Sequence, residues 1–310
     1  MHSTTLSLCK DHEKIAPRPK SMAEACRDLL KLVLAEAGFS RSVVGERSRS
    51  LIDVGFGCGE QTIYLMCDKP LHRYDELWWD ARDHQTYFDQ YVGITQDISQ
   101  CHYADERFKE SDGSHIRIGR NITLSCANAA EPQHWDKVLR HDIDVAKVKT
   151  QETWLLALDS AYHFSPSRWG LIEHAYQSLQ ASFMAFDLCL SPSASVSQKL
   201  ILRVVAALMG APWANFVTPE VYRQKLVDVG YPDDAVRIVD ISEHVFAPLA
   251  EYMGEQDRRL KKLGFGLGSF QAAKSLFRWW GSTGVVRGVV VVAKHGNAIR
   301  NHASSAAGCS

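Results

Sequence analysis

The stretch "LIDVGFGCGEQTIYLM", Leu51 to Met66, decides the fold. An apolar run ending in Asp53 passes directly into three alternating glycines, Gly55, Gly57 and Gly59, and then into helix-forming sequence. This order reads as strand, loop and helix, the unit that opens a nucleotide-type binding fold. A dinucleotide turn needs G-x-G-x-x-G, with a third glycine for close helix packing and a helix N-terminus that receives a pyrophosphate. Here Gly59 comes one residue early and Glu60 stands where that glycine belongs, so a carboxylate opposes a pyrophosphate. A G-x-G-x-G turn behind Asp53 instead suits a ligand with an amino-acid end and no phosphate, its ammonium facing the carboxylate directly or through water.

Outward from the loop, strands and helices alternate. "QYVGIT", "NITLSCA", "TWLLALDS" and "SFMAFDLCL" read as further strands, separated by helix-rich segments, which predicts βαβ units in a parallel sheet of an α/β protein. Upstream, "SMAEACRDLLKLVLAEAGF" places Met22, Cys26, Leu29, Leu30, Val33 and Ala37 on one helical face and stops at Gly38. Downstream, "TPEVYRQKLVDVG" offers Thr218 as N-cap and Pro219 as first helical residue. "AVRIVDIS" and "GVVRGVVVVAKH" then flank a long helical stretch. The expected organisation is an N-terminal segment and leading helix over 1–47, one domain over 48–296 with inserts at about 68–90, 191–217 and 243–280, and a flexible tail over 297–310. The inserts carry Trp78, Trp79, Tyr87, Phe88, Trp213 and Phe216, rings that either pack the inserts onto the core or meet a substrate.

Composition narrows the partners. The 310 residues are 45% hydrophobic and 23% charged with a formal net charge of -1, which gives no basis for nucleic-acid binding through clustered cations. Eight cysteines show no C-x-x-C pair, and "MHSTTLSLCKDHEK" lacks the apolar core of a signal peptide. The most apolar run, "GVVRGVVVVAKHG", is too short for a bilayer and contains Arg287. These features predict a reduced, cytoplasmic protein. The histidines lack H-E-x-x-H or paired spacing, so no metal is expected.

"DVGFGCG" resembles the first motif of the class I S-adenosylmethionine-dependent methyltransferases, and the likeness runs over roughly residues 48–240. The resemblance implies a Rossmann-like sheet with helices on both faces, a final antiparallel strand, helical inserts forming a lid, and S-adenosyl-L-methionine as cofactor. Asp53, Gly55, Gly57 and Gly59 would bind the cofactor. "VGITQDISQ" is similar to the branch with sterol C-methyltransferases, tocopherol methyltransferases and cyclopropane fatty-acid synthases, where a G-I/L-T strand is followed by Gln five residues after the Thr. It implies Thr95 and Gln100 at the ribose, with Asp97 as competitor or plain loop carboxylate. "CANAAEPQHW" resembles the adenine edge, with Asn128 in place of the usual Asp, the Ala129 N–H beside the ring, and Trp135 either covering the base or packed in the core.

Residues after the fourth strand, "LDSAYHF", lie beside the transferred methyl in this family. Asp159 would face the cofactor, His163 would act as base because its pKa lies near neutrality, and Tyr162 would hydrogen-bond the substrate. A loop histidine satisfied by backbone is the competing reading. Asp187 and His102 are weaker base candidates. The N/D-P-P-Y/F motif of amide and exocyclic-amine methylation is absent, and a small, largely apolar organic acceptor fits the aromatic inserts best. An aminopropyltransferase, a dehydrogenase, or a non-catalytic member of the fold are the alternatives. Finally, "DRRLKKLGFGLGSFQAAKSLFRWWG" mixes Arg258, Arg259, Lys261, Lys262, Lys274 and Arg278 with Leu, Phe and Trp, a pattern that suits peripheral contact with a membrane surface or solvated helices packed on the core.

Overall fold

A computed structural model describes residues 21–39, 47–67, 86–110 and 121–296. Its centre is a seven-stranded sheet of β1 (Arg49–Val54), β2 (Gln90–Thr95), β3 (Ile122–Cys126), β4 (Glu152–Leu158), β5 (Ser182–Leu190), β6 (Val236–Asp240) and β7 (Val286–Ala293) in the order β3-β2-β1-β4-β5-β7-β6. β1 to β5 pair in parallel, and β7 runs antiparallel between β5 and β6. Every strand residue of β1, β2 and β5 is buried, as parallel strands covered on both faces require, whereas the edge strands β3 and β6 are partly open.

Helices cover both faces. α1 (Met22–Ala37) is fixed at its start by a capping box, Ser21 Oγ accepting from the Glu24 N–H at 3.1 Å and the Glu24 carboxylate from the Ser21 N–H at 3.2 Å. Gly38 ends it in the left-handed conformation. The buried residues are Leu30, Val33, Leu34 and Ala37, so the inner face is rotated from the expected one: Leu34 joins it and Met22 is exposed. α2 (Glu60–Met66) and α3 (Ile98–Glu110) follow β1 and β2, α4 (Lys137–Val148) and α5 (Trp169–Gln177) follow β3 and β4, and α6 (Val196–Leu208) and α7 (Pro219–Val229) follow β5. Thr218 caps α7 and Pro219 opens it, as the sequence predicts. α8 (Ser242–Lys261) and α9 (Phe270–Thr283) fill the connection from β6 to β7.

One hydrophobic layer, on the α1 side, gathers Leu51, Tyr91, Trp154, Met184, Leu202, Phe246 and Trp280. The opposite layer gathers Ile52, Val92, Leu139, Leu155, Ile172, Phe183 and Tyr222. Described rings of the inserts belong to the first: Phe39 packs on Phe88 at 5.2 Å and edge-on to Tyr87 at 6.1 Å, and Trp213 stacks near Phe216 at 5.9 Å. Trp78 and Trp79 lie outside the described residues. No described helix is long and apolar enough to cross a membrane.

Candidate functional site

The strand order reverses between β1 and β4, and in open α/β sheets the crevice at the carboxyl ends of such strands is where ligands sit. The glycine loop lies there. Gly55, Gly57 and Gly59 all adopt positive φ, at 84°, 65° and 90°. At Gly55 the reason is contact: a Cβ would lie 2.6 Å from Ser160 Cβ, and Ser160 Oγ donates to the Val54 carbonyl at 2.7 Å, tying the β4 loop under the β1 turn. At Gly57 no atom of the other described residues lies within 4 Å of a Cβ, so among the described residues this glycine faces open space. Glu60 opens α2, and its charge is met by Arg107 from α3 at 3.0 Å. The same guanidinium group holds the Cys58 carbonyl at 2.7 Å. That carboxylate is thus paired, and Gly59 stands as the left-handed N-cap of α2, one residue before the place of a dinucleotide loop's third glycine.

Asp53 is not a surface for a ligand. It is fully buried, and its oxygens accept from Gln61 Nε2 at 2.8 and 2.7 Å and from the Tyr91 hydroxyl at 2.6 Å. In this arrangement its carboxyl ties α2 and β2 together beneath the loop. Gly93, opposite Asp53 in the β1–β2 register, makes room: a Cβ there would meet Tyr91, Phe56 and Leu124 at 2.8–2.9 Å.

Burial pushes the Asp53 carboxyl up to about 6, against the Tyr91 and Gln61 hydrogen bonds, and it drives the Tyr91 hydroxyl well above its ordinary value. A raised carboxyl holds its proton more tightly in the folded chain. Its contribution to stability is complete below about pH 4 and lost as pH rises through 6, a change of about 3 kcal/mol for two pKa units. Asp53→Asn is expected to flatten that fall in denaturant midpoints measured from pH 4 to 6. An unchanged slope would show a hydrated carboxylate.

Thr95 closes β2 and is buried, its Oγ1 donating to Gln100 Oε1 at 3.4 Å, so the two ribose candidates stand together. Asp97 is exposed and accepts from the Ser99 and Gln100 N–H groups at 2.8 and 3.1 Å, which makes it a cap for α3. After β3, a cavity of about 280 Å³ is bounded by Ser125, Cys126, Ala127, Asn128, Trp135 and residues of the start of α4. Asn128 turns its side-chain oxygen to the Ala130 N–H at 3.0 Å, and Ala129 is buried within that turn. Trp135 donates to the Asn128 carbonyl at 3.0 Å and is buried edge-on to His174, so it lines the cavity and packs the core at once.

At the end of β4, Asp159 has φ 57°, a left-handed value that Asp tolerates better than most residues. The residue as a whole is exposed, while protein packs around its carboxyl. Burial raises that carboxyl to about 6, the Tyr162 hydroxyl opposes the rise by hydrogen bonding, and the Asp187 charge adds to it. Tyr162 is buried and its own pKa is raised, by burial first and then by Asp159. His163 is exposed, packs tilted against Tyr162 with ring centres 4.3 Å apart, and is held below its ordinary 6.5 by partial burial, with Asp187 opposing. Asp159, Tyr162 and His163 thus stand in one short turn.

The weaker base candidates are placed elsewhere. Asp187 is fully buried and paired with Arg168, which is also fully buried. His102 is exposed on α3 and pairs with Glu106 at 3.4 Å. Among the described residues no three His, Cys, Asp or Glu side chains converge as a metal site.

Two features escape a reading of the sequence. Cys26 on α1 lies within electrostatic reach of both Asp159 and Glu60, whose charges add to burial in raising its thiol pKa. Asn215 bridges the β4 loop, donating from Nδ2 to the carbonyls of Tyr162 at 3.0 Å and Phe164 at 2.9 Å.

No family model and no curated protein sequence matches the chain. Solved structures do. The [4+2]-cyclase SpnF is 15% identical with a TM-score of 0.55, over 90% of this chain and 84% of that one. The cyclopropane synthase MmaA2 from Mycobacterium tuberculosis is 14% identical with a TM-score of 0.56, over 90% and 87%. Geranyl diphosphate C-methyltransferase from Streptomyces coelicolor A3(2), solved with Mg2+, geranyl diphosphate and S-adenosyl-L-homocysteine, is 16% identical with a TM-score of 0.51, over 90% and 86%. At such identities the likeness is one of fold, the Rossmann-like fold of the methyltransferases.

Proposed function

We propose that this chain is an S-adenosyl-L-methionine-dependent methyltransferase that moves a methyl group to a small, largely apolar organic acceptor, a lipid-like molecule or secondary metabolite, without a metal. The observation that carries the reading is Gly57: a left-handed glycine facing open space at the sheet's switch point, between strand ends that carry Thr95 and Asp159. The residues fit the cofactor. The Gly55–Gly59 backbone meets its amino-acid end, Thr95 with Gln100 its ribose, and the cavity at Asn128, Ala129 and Trp135 its base. Asp53 acts from below by holding Gln61 and Tyr91.

When bound, the cofactor supplies an electrophilic methyl on a sulfonium. In-line displacement asks the protein to align the partners and exclude water rather than to polarise them. His163, exposed on the turn after β4, takes the proton that the acceptor releases. Its lowered pKa keeps the ring neutral, and hence basic, at pH 7. Tyr162, hydrogen-bonded to Asp159, orders that turn. His163→Ala is expected to slow transfer by about 10²–10⁴-fold with cofactor binding intact, the range of a single acid–base group. It should also remove an acid limb of the rate profile lying below pH 6.5. A near-normal rate would leave His163 a structural loop residue.

The structural neighbours support the reading at the level of small-molecule substrates, since one is named for geranyl diphosphate and one as a cyclopropane synthase. A second reading follows from the neighbour named a [4+2]-cyclase: the same fold binding the cofactor while another reaction occurs in the cleft. Untargeted mass spectrometry of producer extracts incubated with the protein and methyl-labelled cofactor separates the two. A labelled product supports transfer, an unlabelled rearranged product supports the second reading, and calorimetry without cofactor binding overturns both.

A further inference from the structure

The connection from β6 to β7 is an antiparallel helical hairpin. Phe246 of α8 packs edge-on to Trp280 of α9 at 5.4 Å, and Gly281 lets the Ala247 backbone approach so closely that a Cβ would lie 3.0 Å from its nitrogen. Farther out, Lys274 holds Asp257 at 3.0 Å. The root is in the core, but the outer half leaves it: no residue from 258 to 273 is buried. Fourteen residues of α8 separate Phe246 from Leu260, so the tip stands about 20 Å along the helix from the root.

The chemistry of that tip is segregated. Arg258, Arg259, Lys261 and Lys262 are exposed, and no acidic residue follows Asp257 anywhere in the chain. Among these cations, Leu263, Phe265 and Phe270 are 72%, 67% and 64% exposed. A chain of net charge -1 thus concentrates cations around three apolar side chains at the end of a projection. The structure also trims the pattern visible in the sequence: Lys274 is buried in its pair with Asp257, and Trp280 belongs to the core.

We propose that this tip docks on an anionic lipid surface, Phe265, Phe270 and Leu263 entering the headgroup boundary while Arg258, Arg259 and Lys262 meet the lipid phosphates. Cations beside exposed aromatic and aliphatic side chains complement both parts of such a surface, the negative potential and the apolar layer beneath it. A nucleic-acid phosphate chain would use the cations and leave the apolar side chains in water. Because both α8 and β7 begin at the carboxyl edge of the sheet, the projection is rooted on the edge that carries the glycine loop. Docking would hold the crevice near the bilayer.

The test is co-sedimentation of the full chain with phosphatidylcholine vesicles, with and without phosphatidylserine, and it needs no substrate, so its outcome is independent of methyl transfer. Binding is expected only with phosphatidylserine and is expected to weaken with added salt. Phe265→Ser with Phe270→Ser, and separately Arg258→Glu with Lys262→Glu, should each lower the partition coefficient on the order of tenfold or more. Circular dichroism should not change, since all four side chains are exposed. Absence of wild-type binding, equal binding to neutral vesicles, or variants that bind like wild type would each overturn the proposal. So would a dimer in sedimentation velocity that the Phe variants dissociate without any vesicle binding, or retention on RNA that the Phe variants leave unchanged.

Discussion

Gly57→Val is expected to lower affinity for S-adenosyl-L-methionine by more than about 100-fold in calorimetry while the chain still folds. The two halves of that expectation have separate causes. Valine at φ 65° costs about 1–2 kcal/mol in backbone strain, a fraction of the roughly 5–15 kcal/mol of an ordinary domain. Among the described residues no atom stands within 4 Å of the new Cβ, so they add no further packing cost. The isopropyl group instead fills the open side of the loop, where a ligand's backbone-like end must approach. Gly55→Val behaves differently, because its Cβ would overlap Ser160 and break the tie between the β1 turn and the β4 loop. It should lower the thermal midpoint strongly and binding with it. If Gly57→Val binds like wild type, the cofactor does not lie over this loop and the proposed function loses its main support.

Much of this fold was legible because its signals are local. Strand and helix periodicity place every sheet element, and Pro219 behind Thr218 marks a helix start that the structure reproduces. The glycine loop is legible for the same reason: three glycines after an apolar run need no tertiary information to be read as a turn. Asp53 shows where this stops. An acid before a glycine turn reads as facing the ligand, yet strand alternation puts it on the face of Leu51, where Tyr91 and Gln61 close over it. The only trace in the sequence is Gly93, whose missing side chain lets Tyr91 lie flat, and its meaning depends on the β1–β2 register. Cys26 is similarly silent, since its place beside Asp159 depends on how α1 crosses the sheet. Asp187 was readable as a candidate carboxylate, and its partner Arg168 was not, because nineteen positions and a helix separate them in the chain.

That pair supports the other large effect, and it decides between two roles for Asp187. Arg168 and Asp187 are both fully buried. Asp187 also accepts from the Tyr222 hydroxyl at 3.0 Å, and the guanidinium lies 4.7 Å from the Tyr222 ring centre and 5.2 Å from that of Trp169. The Arg168 backbone N–H donates to Asn215 Oδ1 at 2.9 Å, and Asn215 in turn holds the carbonyls of Tyr162 and Phe164. The ion pair is therefore the anchor of the turn that carries Tyr162 and His163. Asp187→Ala strands the Arg168 cation in the interior and is expected to cost about 3–5 kcal/mol by urea denaturation, enough to unfold much of a marginal chain. Loss of activity in that variant alone would say nothing about chemistry. Replacing both partners, Arg168→Met with Asp187→Leu, removes the buried charges together and should recover most of the stability, since well-packed apolar replacements of such pairs are often neutral or better. Methyl transfer should return with the stability if Asp187 is an anchor and His163 the base. A double variant that is stable, binds cofactor and transfers nothing would instead make Asp187 part of the chemistry, reached through a movement of the β5 end that exposes its carboxylate.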